Sequence, residues 1–318
     1  MALCLLCPPV GLFACDLCGS AGGSASPGLL PLVQRHYVGM RWQLQDYYTD
    51  AHGSDPNSIE NFYTFEVWGR WQPHRRLQFV AALPYQYNTR HFDNGRSLRV
   101  GGMGDISVVA QFALLDPARQ AVRMWQHTIQ AGAGIKLATG AFCSTFDATE
   151  GAALPAFQPG TGSTDGLFTG LYAIRRGKWG ASIDAAWRYM GQSTNGYQFG
   201  NRINASCRLF RNEKLWGIAL LPYMGTSLDT RQKDKDGSEN LWDTGGKALL
   251  GFVGTEAYWK NFAFNAGLQH TVVSDLSNGY VRARNRVNVS LVWLFGGKTN
   301  PVLNQAAGVF KNIKKPDR

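Results

Sequence analysis

Apolar and polar residues alternate along most of this chain with a period of two, the pattern of strands whose two faces meet different surroundings. The alternation is most regular from Trp179 to Tyr189. Trp179, Ala181, Ile183, Ala185, Trp187 and Tyr189 share one face, and Gly180, Ser182, Asp184, Ala186 and Arg188 share the other. The first face is aliphatic in the middle and aromatic at both ends, while the second carries an acid and a base. At a rise of ~3.3 Å per residue, Trp179 and Trp187 lie roughly 26 Å apart along the strand, or about 20 Å along a membrane normal at a tilt near 40°. That height suits the apolar band of an outer membrane, with a Trp close to each interface. A half-buried strand in a soluble sheet has no reason to place aromatics at both ends of its apolar face and charge on the other.

The same period recurs from Val38 onwards. Val38, Met40, Trp42 and Leu44 oppose Gly39, Arg41, Gln43 and Gln45; Tyr63, Phe65, Val67 and Trp71 oppose Thr64, Glu66 and Arg70. Further strands are predicted around Leu77–Tyr85, Ile106–Leu114, Ile129–Leu137 (facing Lys136), Ile203–Leu209 (facing Arg202 and Arg208), Leu215–Leu228, Leu249–Trp259, Phe262–Leu268 and Val287–Phe295. The segment Leu167–Ile174 is apolar on both faces, which leaves its register open. The total is about twelve, an even number, as closed bacterial outer-membrane barrels prefer. The connections alternate long and short: Thr49–Ser58, Asn88–Leu98, Ala141–Gly162, Gly191–Gly196, Asp229–Gly245 and Ser274–Val281 on one side; Gln72–Arg75, Asp116–Ala121, Arg175–Lys178, Arg211–Lys214 and Lys260–Asn261 on the other. Long outer loops opposed by short periplasmic turns predict an all-β fold, a single antiparallel up-and-down transmembrane barrel. The last strand ends on Phe295, as a barrel-assembly signal does.

Three regions follow: a signal-like, Cys-rich leader and Gly/Ser linker over 1–33, the barrel over 34–296, and a basic polar tail over 297–318. The leader is apolar and without Lys or Arg up to Ala14, which reads as the end of a secretory signal whose true start lies upstream. Leu12-Phe13-Ala14-Cys15 looks like a lipoprotein cleavage box, making Cys15 a candidate for lipidation; ordinary signal cleavage nearby is the alternative. Cys15 and Cys18 form a CxxC, a metal or redox pair in one reading, and a short disulfide turn or leader remnant in the other. No cofactor is expected, since no CxxCH is present for haem. Composition narrows the class further. Mean hydropathy is −0.22, and no run of about 18 apolar residues follows the leader, which excludes a helical membrane protein. The net charge of +10 comes from dispersed Lys and Arg, which points to solvated turns and no nucleic-acid partner.

Several motifs together carry a family resemblance. They are Gly102-Met103-Gly104-Asp105-Ile106, Gly134-Ile135-Lys136-Leu137-Ala138-Thr139-Gly140, Gln158-Pro159-Gly160-Thr161-Gly162-Ser163-Thr164-Asp165, Tyr197-Gln198-Phe199-Gly200-Asn201-Arg202 and Thr244-Gly245-Gly246, after the N-terminal Cys15-Asp16-Leu17-Cys18-Gly19 and Leu29-Leu30-Pro31. In this order, spread over nearly the whole chain, they resemble the outer-membrane transporter family named for the meta-pathway of phenol degradation, in its Bacteroidetes-type branch. Ala138 stands where that family usually has proline, and the tail is longer. The resemblance implies a channel or transporter-like barrel in the outer membrane of a Gram-negative bacterium.

The inward faces carry Arg41, Glu66, Arg70, Lys136, Asp184, Arg188, Arg202 and Arg208. One reading is a basic-leaning lumen passing small polar or aromatic and anionic solutes by diffusion; the other is a set of mutually paired charges filling the interior. Gly160–Asp165 has the composition of a phosphate loop but lacks GK[ST] and a following helix, so it reads as a loop that folds back or a turn device. No GxSxG is present and an enzyme is not expected, a lipid enzyme with a Ser/His/acid set being the remote alternative. Expected partners are outer-membrane lipid and a small solute. The alternative function is a structural or docking barrel whose CxxC segment engages a periplasmic protein.

Overall fold

The computed structural model describes residues 35–50, 56–115, 125–142 and 155–296. The leader, the linker, Cys15, Cys18, the C-terminal tail, the Asp116–Ala121 connection and parts of the Thr49–Ser58 and Ala141–Gly162 loops lie outside them.

Twelve antiparallel strands close on themselves. They are β1 (His36–Thr49), β2 (Ser58–His74), β3 (Leu77–Phe92), β4 in two segments (Ser97–Met103 and Ser107–Leu115), β5 (Gln126–Lys136), β6 (Asp165–Arg176), β7 (Trp179–Tyr189), β8 (Arg202–Arg211, continued by Glu213–Leu215), β9 (Ile218–Arg231), β10 (Gly246–Trp259), β11 (Phe262–Leu276) and β12 (Val281–Phe295). Each pairs with its neighbours in sequence, and β12 pairs with β1 from His36↔Phe295 to Thr49↔Val281. Closure leaves no free edge, which satisfies backbone N–H and C=O groups in a medium without water. The two ends of the barrel meet at the turn side, where Arg35 Nε donates to Gly296 O at 3.1 Å.

The outer wall is what alternation predicts. On β7, Trp179, Ile183, Trp187 and Tyr189 are exposed while Ser182 and Arg188 are buried. β6, ambiguous in sequence, turns Phe168 and Tyr172 outward and Leu167 and Leu171 toward the lumen. Exposed apolar side chains such as Met40, Phe65, Val108, Leu209, Met224, Val253 and Leu291 continue this belt around the barrel, far more contiguous apolar surface than a water-soluble protein exposes. Aromatics edge it. At the turn side Trp71 stacks on Phe79 at 5.7 Å and Trp293 lies 5.1 Å from Phe295; at the loop side Phe168 stacks on Trp187 at 5.2 Å. Arg176, Arg211 and Lys260 sit over Trp125, Trp179 and Trp259 at 5.1, 5.1 and 4.6 Å. Cations thus sit beside the rings that edge the apolar belt.

Three connections differ from the sequence reading. Arg211–Lys214 is not the turn: Glu213–Leu215 pairs with β9 from Glu213↔Leu220 to Leu215↔Ile218, and Trp216 and Gly217, at φ +49° and +81°, make the turn. Ser274–Val281 is not a longer loop, because β11 runs to Leu276 and pairs there with Val281. Asn88–Leu98 is not a long loop: β3 runs to Phe92 and pairs with the first segment of β4 from His91↔Ser97 to Tyr85↔Met103. The turn is tight, with Gly95 at φ +84°, Gly95 N donating to Phe92 O at 3.0 Å and Arg96 N to Asn94 Oδ1 at 3.0 Å. Ser97, Leu98, Arg99 and Val100 do alternate, with Leu98 and Val100 packed against the interior, but the run is short and ends at Gly101 and Gly102, too little to read as a strand.

Candidate functional site

The lumen is layered. At the turn end the inward residues are largely apolar: Tyr37, Trp68, Phe210, Leu221, Tyr258, Val292 and Leu294 form one buried cluster. Arg70 is set into this layer. Its guanidinium donates to Arg35 O at 3.0 and 2.7 Å and to Gln78 Oε1 at 3.1 Å, and it lies 4.7 Å from the centre of the Tyr37 ring.

The middle of the lumen holds a cavity lined by Arg41, Gln43, Asp184, Arg208, Asp229 and Arg286 among others. Cross-strand register brings charges together here. Arg41 lies directly opposite Glu66 and the two form a buried ion pair. Arg286 pairs with Asp229, and Asp229 also accepts from Asn204 Nδ2 at 2.5 Å. Asp184 accepts from Ser206 Oγ at 2.7 Å. Arg208 is 4% exposed and lies against the rings of Tyr223 and Phe252, at 4.8 and 5.5 Å. Asn265 Nδ2 donates to Tyr223 Oη at 3.0 Å.

At the loop end a segment folds inward. Pro155, Ala156 and Phe157 make a single 3-10 turn, entirely buried. Phe157 packs edge-on against Phe62 at 5.8 Å, lies 5.7 Å from the Arg90 guanidinium, and its carbonyl accepts from Asn88 Nδ2 at 2.8 Å. Arg90 pairs with Glu60 at 2.6 Å. Around this sits a second apolar cluster containing Tyr47, Leu250, Leu276 and Val281.

What pins the segment is a buried charge cluster. Lys136 Nζ donates to Asp105 Oδ2 at 2.6 Å, to Ser163 O at 3.0 Å and to Thr161 Oγ1, and lies 3.0 Å from Asp165 Oδ2. Asp105 accepts from Gly140 N at 2.8 Å, Thr161 N at 3.0 Å and Thr161 Oγ1 at 2.9 Å. Asp165 accepts from Ser163 Oγ at 2.8 Å and Gly191 N at 3.0 Å. Two carboxylates face one ammonium, and backbone N–H groups and hydroxyls supply the remaining donors, as buried charge demands. Gly140 and Gly160 let two backbones meet beside this cluster: a Cβ on Gly160 would lie 2.7 Å from the Gly140 carbonyl carbon and 2.9 Å from its oxygen. Gly160→Ala is therefore expected to cost ~1–3 kcal/mol by overpacking and to make the inward segment more readily cleaved by protease, with the barrel intact. An unchanged cleavage rate would remove the close approach from the account.

The outer loops above this segment share a third cluster, Ala156, Met190, Tyr197 and Phe199. A small three-stranded sheet from Tyr197–Gln198, Lys235–Asp236 and Glu239–Asn240 frames it. Asp234 is buried beneath, accepting from Tyr197 Oη at 2.6 Å and Gly200 N at 2.7 Å. Burial pushes its carboxyl above the usual range, against the pull of those hydrogen bonds and of Arg202 and Arg231. The folded chain thus holds this proton more tightly than the unfolded one. The contribution is fully present below the ordinary carboxylate range and is lost as pH rises through the raised folded value. Asp234→Asn has no proton to lose, so wild type is expected to gain on it as the pH is lowered from about 8 to about 4, read by thermal unfolding. Parallel curves would contradict the assignment.

All eight inward candidates lie inside the barrel, in different layers. Arg41, Glu66, Asp184 and Arg208 surround the middle cavity or pair beside it. Arg70 belongs to the turn-end layer and Lys136 to the loop-end cluster. Arg188 and Arg202 are buried and directly opposite each other at the loop ends of β7 and β8. Asp105, Thr161, Ser163 and Asp165 were not read as site residues, although each lies within a quoted motif; their convergence on Lys136 is a tertiary fact. Glu60–Arg90 and Asp229–Arg286 carried no sequence signal beyond the period of two.

No family model matches the sequence, and no curated protein matches it. The structure is similar to that of an outer membrane channel from Pseudomonas putida F1, at 15% identity and a TM-score of 0.60, covering 83% of this chain and 96% of that one. Weaker likenesses, too low to carry argument, are to the β domain of the Bordetella autotransporter BrkA (12% identity, 82% of this chain and 100% of that one, TM-score 0.46) and to a Pseudomonas aeruginosa FadL homologue (9%, 90% and 96%, TM-score 0.38). The fold is that of a Gram-negative outer-membrane barrel, closed, antiparallel and twelve-stranded.

Proposed function

We propose that this chain is a gated outer-membrane channel that passes small polar or aromatic, anionic solutes by diffusion, with long loops outside and both barrel ends toward the periplasm. One observation carries the reading. The inward segment at the outer mouth is pinned by the Lys136, Asp105 and Asp165 cluster over a polar, cavity-bearing lumen. A structural plug has no need of buried ions, whereas a segment that must move can use a compact charge cluster as a two-position contact. The basic lean of the lumen-facing candidates supports anionic solutes. The family resemblance supports the same reading, because three of its motifs, around Gly102, Lys136 and Gly160, converge on this cluster. His127 and His270 sit on separate strands, bonded to Tyr172 and Asn285, an arrangement that offers a lipid enzyme no triad.

Conductance of the refolded full chain in planar bilayers is the test. Discrete openings with anion preference are expected. A second reading has one observation in its favour: an apolar cluster fills the turn end of the lumen. On that reading the barrel is a docking platform, with the N-terminal segment as the periplasmic contact, and bilayers stay silent under all conditions.

A further inference from the structure

We propose that the middle of the lumen contains a binding site for a small organic monocarboxylate, with Arg208 as its anion anchor; this deepens the channel reading and rests on it. The argument starts from pairing. Three guanidinium groups line the cavity. Arg41 is neutralised by Glu66 and Arg286 by Asp229. Arg208 has neither a salt bridge nor a hydrogen bond among the described residues, and its Nε is a buried donor without an acceptor. Asp184, one register step away along the β7–β8 ladder, is engaged by Ser206 instead.

A guanidinium that is 4% exposed and unpaired is costly to keep in a lumen. Tyr223 and Phe252 offset part of that cost by presenting ring faces to it, but a ring face is only a weak acceptor for N–H. The missing partner is an acceptor with a planar pair of oxygens, the shape a guanidinium binds bidentately. One unpaired cation fits one carboxylate. A dicarboxylate or phosphate dianion would bring a charge that the remaining lining does not meet. Trp68, Tyr223 and Phe252 add apolar faces to the same cavity, which favours an acid with an apolar body over acetate or formate. The glycines at this level admit the aromatics: a Cβ at Gly225 would lie 2.6 Å from Phe252 Cζ, and one at Gly254 would lie 2.3 Å from Tyr223 Oη.

The test uses the refolded full chain in detergent, equilibrated overnight with benzoate, with benzyl alcohol as the neutral analogue, and binding read by ligand-observed NMR. Benzoate is expected to bind at least about tenfold more tightly than benzyl alcohol, a charged hydrogen-bonded contact being lost in the latter. Arg208→Gln is expected to erase that preference. Asp184→Asn keeps the guanidinium and removes a nearby negative charge, so it is expected to hold benzoate as tightly as wild type or more so; it remains informative if Arg208→Gln fails to fold. Equal binding of the two probes, no binding by wild type, or benzoate preference surviving in folded Arg208→Gln overturns the site. Bilayer conductance is recorded on the same preparations. A conducting barrel without Arg208-dependent binding removes the site alone, and a silent barrel that binds benzoate through Arg208 removes the channel reading alone.

Discussion

Lys136→Met is expected to convert a mostly closed barrel into one that opens readily. The substitution leaves Asp105 and Asp165 buried with no cation between them. Breaking a buried ion pair by removing one partner costs ~3–5 kcal/mol. If the inward segment is released to relieve that cost, the ratio of open to closed barrels shifts by on the order of 10²–10⁴, at about 1.4 kcal/mol per tenfold. Bilayer recordings should show more frequent openings, and limited proteolysis should cut the segment around Pro155–Thr164. Replacing both acids by Asn in the Lys136→Met background should restore much of the closed behaviour, because uncharged groups can stay buried where lone carboxylates cannot. A folded Lys136→Met protein as silent and as protease-resistant as wild type would mean that apolar packing around Phe157, not the ion cluster, holds the mouth shut.

Ile183→Arg is expected to destabilise the barrel in lipid by ~2–4 kcal/mol, the cost of a cation near the bilayer midplane on the lipid face. Ile183 is 56% exposed and lies midway between Trp179 and Trp187 on the outer wall. The same charge placed at Tyr189, near the loop-side interface, should cost ~0–1 kcal/mol from its position alone. Reversible denaturant unfolding from lipid vesicles measures both. A water-facing Ile on a soluble protein would tolerate Arg with little change, so equal stabilities for Ile183→Arg and wild type would take the belt out of the membrane.

Much of the outer wall was legible in sequence for a simple reason. Each strand has one outward apolar face and one inward face that is mostly polar, so its side-chain period appears directly as alternating residue types, as Trp179 to Tyr189 shows. The β3–β4 ribbon is hard to read because its alternation, Ser97 to Val100, is short and stops at Gly101 and Gly102; the Asn94–Gly95 turn is its strongest local mark. β6 was ambiguous because Leu167 and Leu171 point into the lumen beside apolar neighbours, which weakens the contrast between faces.

The sequence by itself determined which residues share the apolar outer face of each strand and that Arg41, Glu66, Arg70, Lys136, Asp184, Arg188, Arg202 and Arg208 lie on the other, because strand geometry assigns faces residue by residue. Only the tertiary structure decided who meets whom inside. Arg41 finds Glu66 through the register of β1 against β2, Lys136 collects Asp105 and Asp165 from β4 and β6, and Arg208 is left with rings instead of an acid. Pairing across a closed barrel depends on strand stagger and on where a loop turns inward. Those are long-range quantities, and no local pattern of residues encodes them.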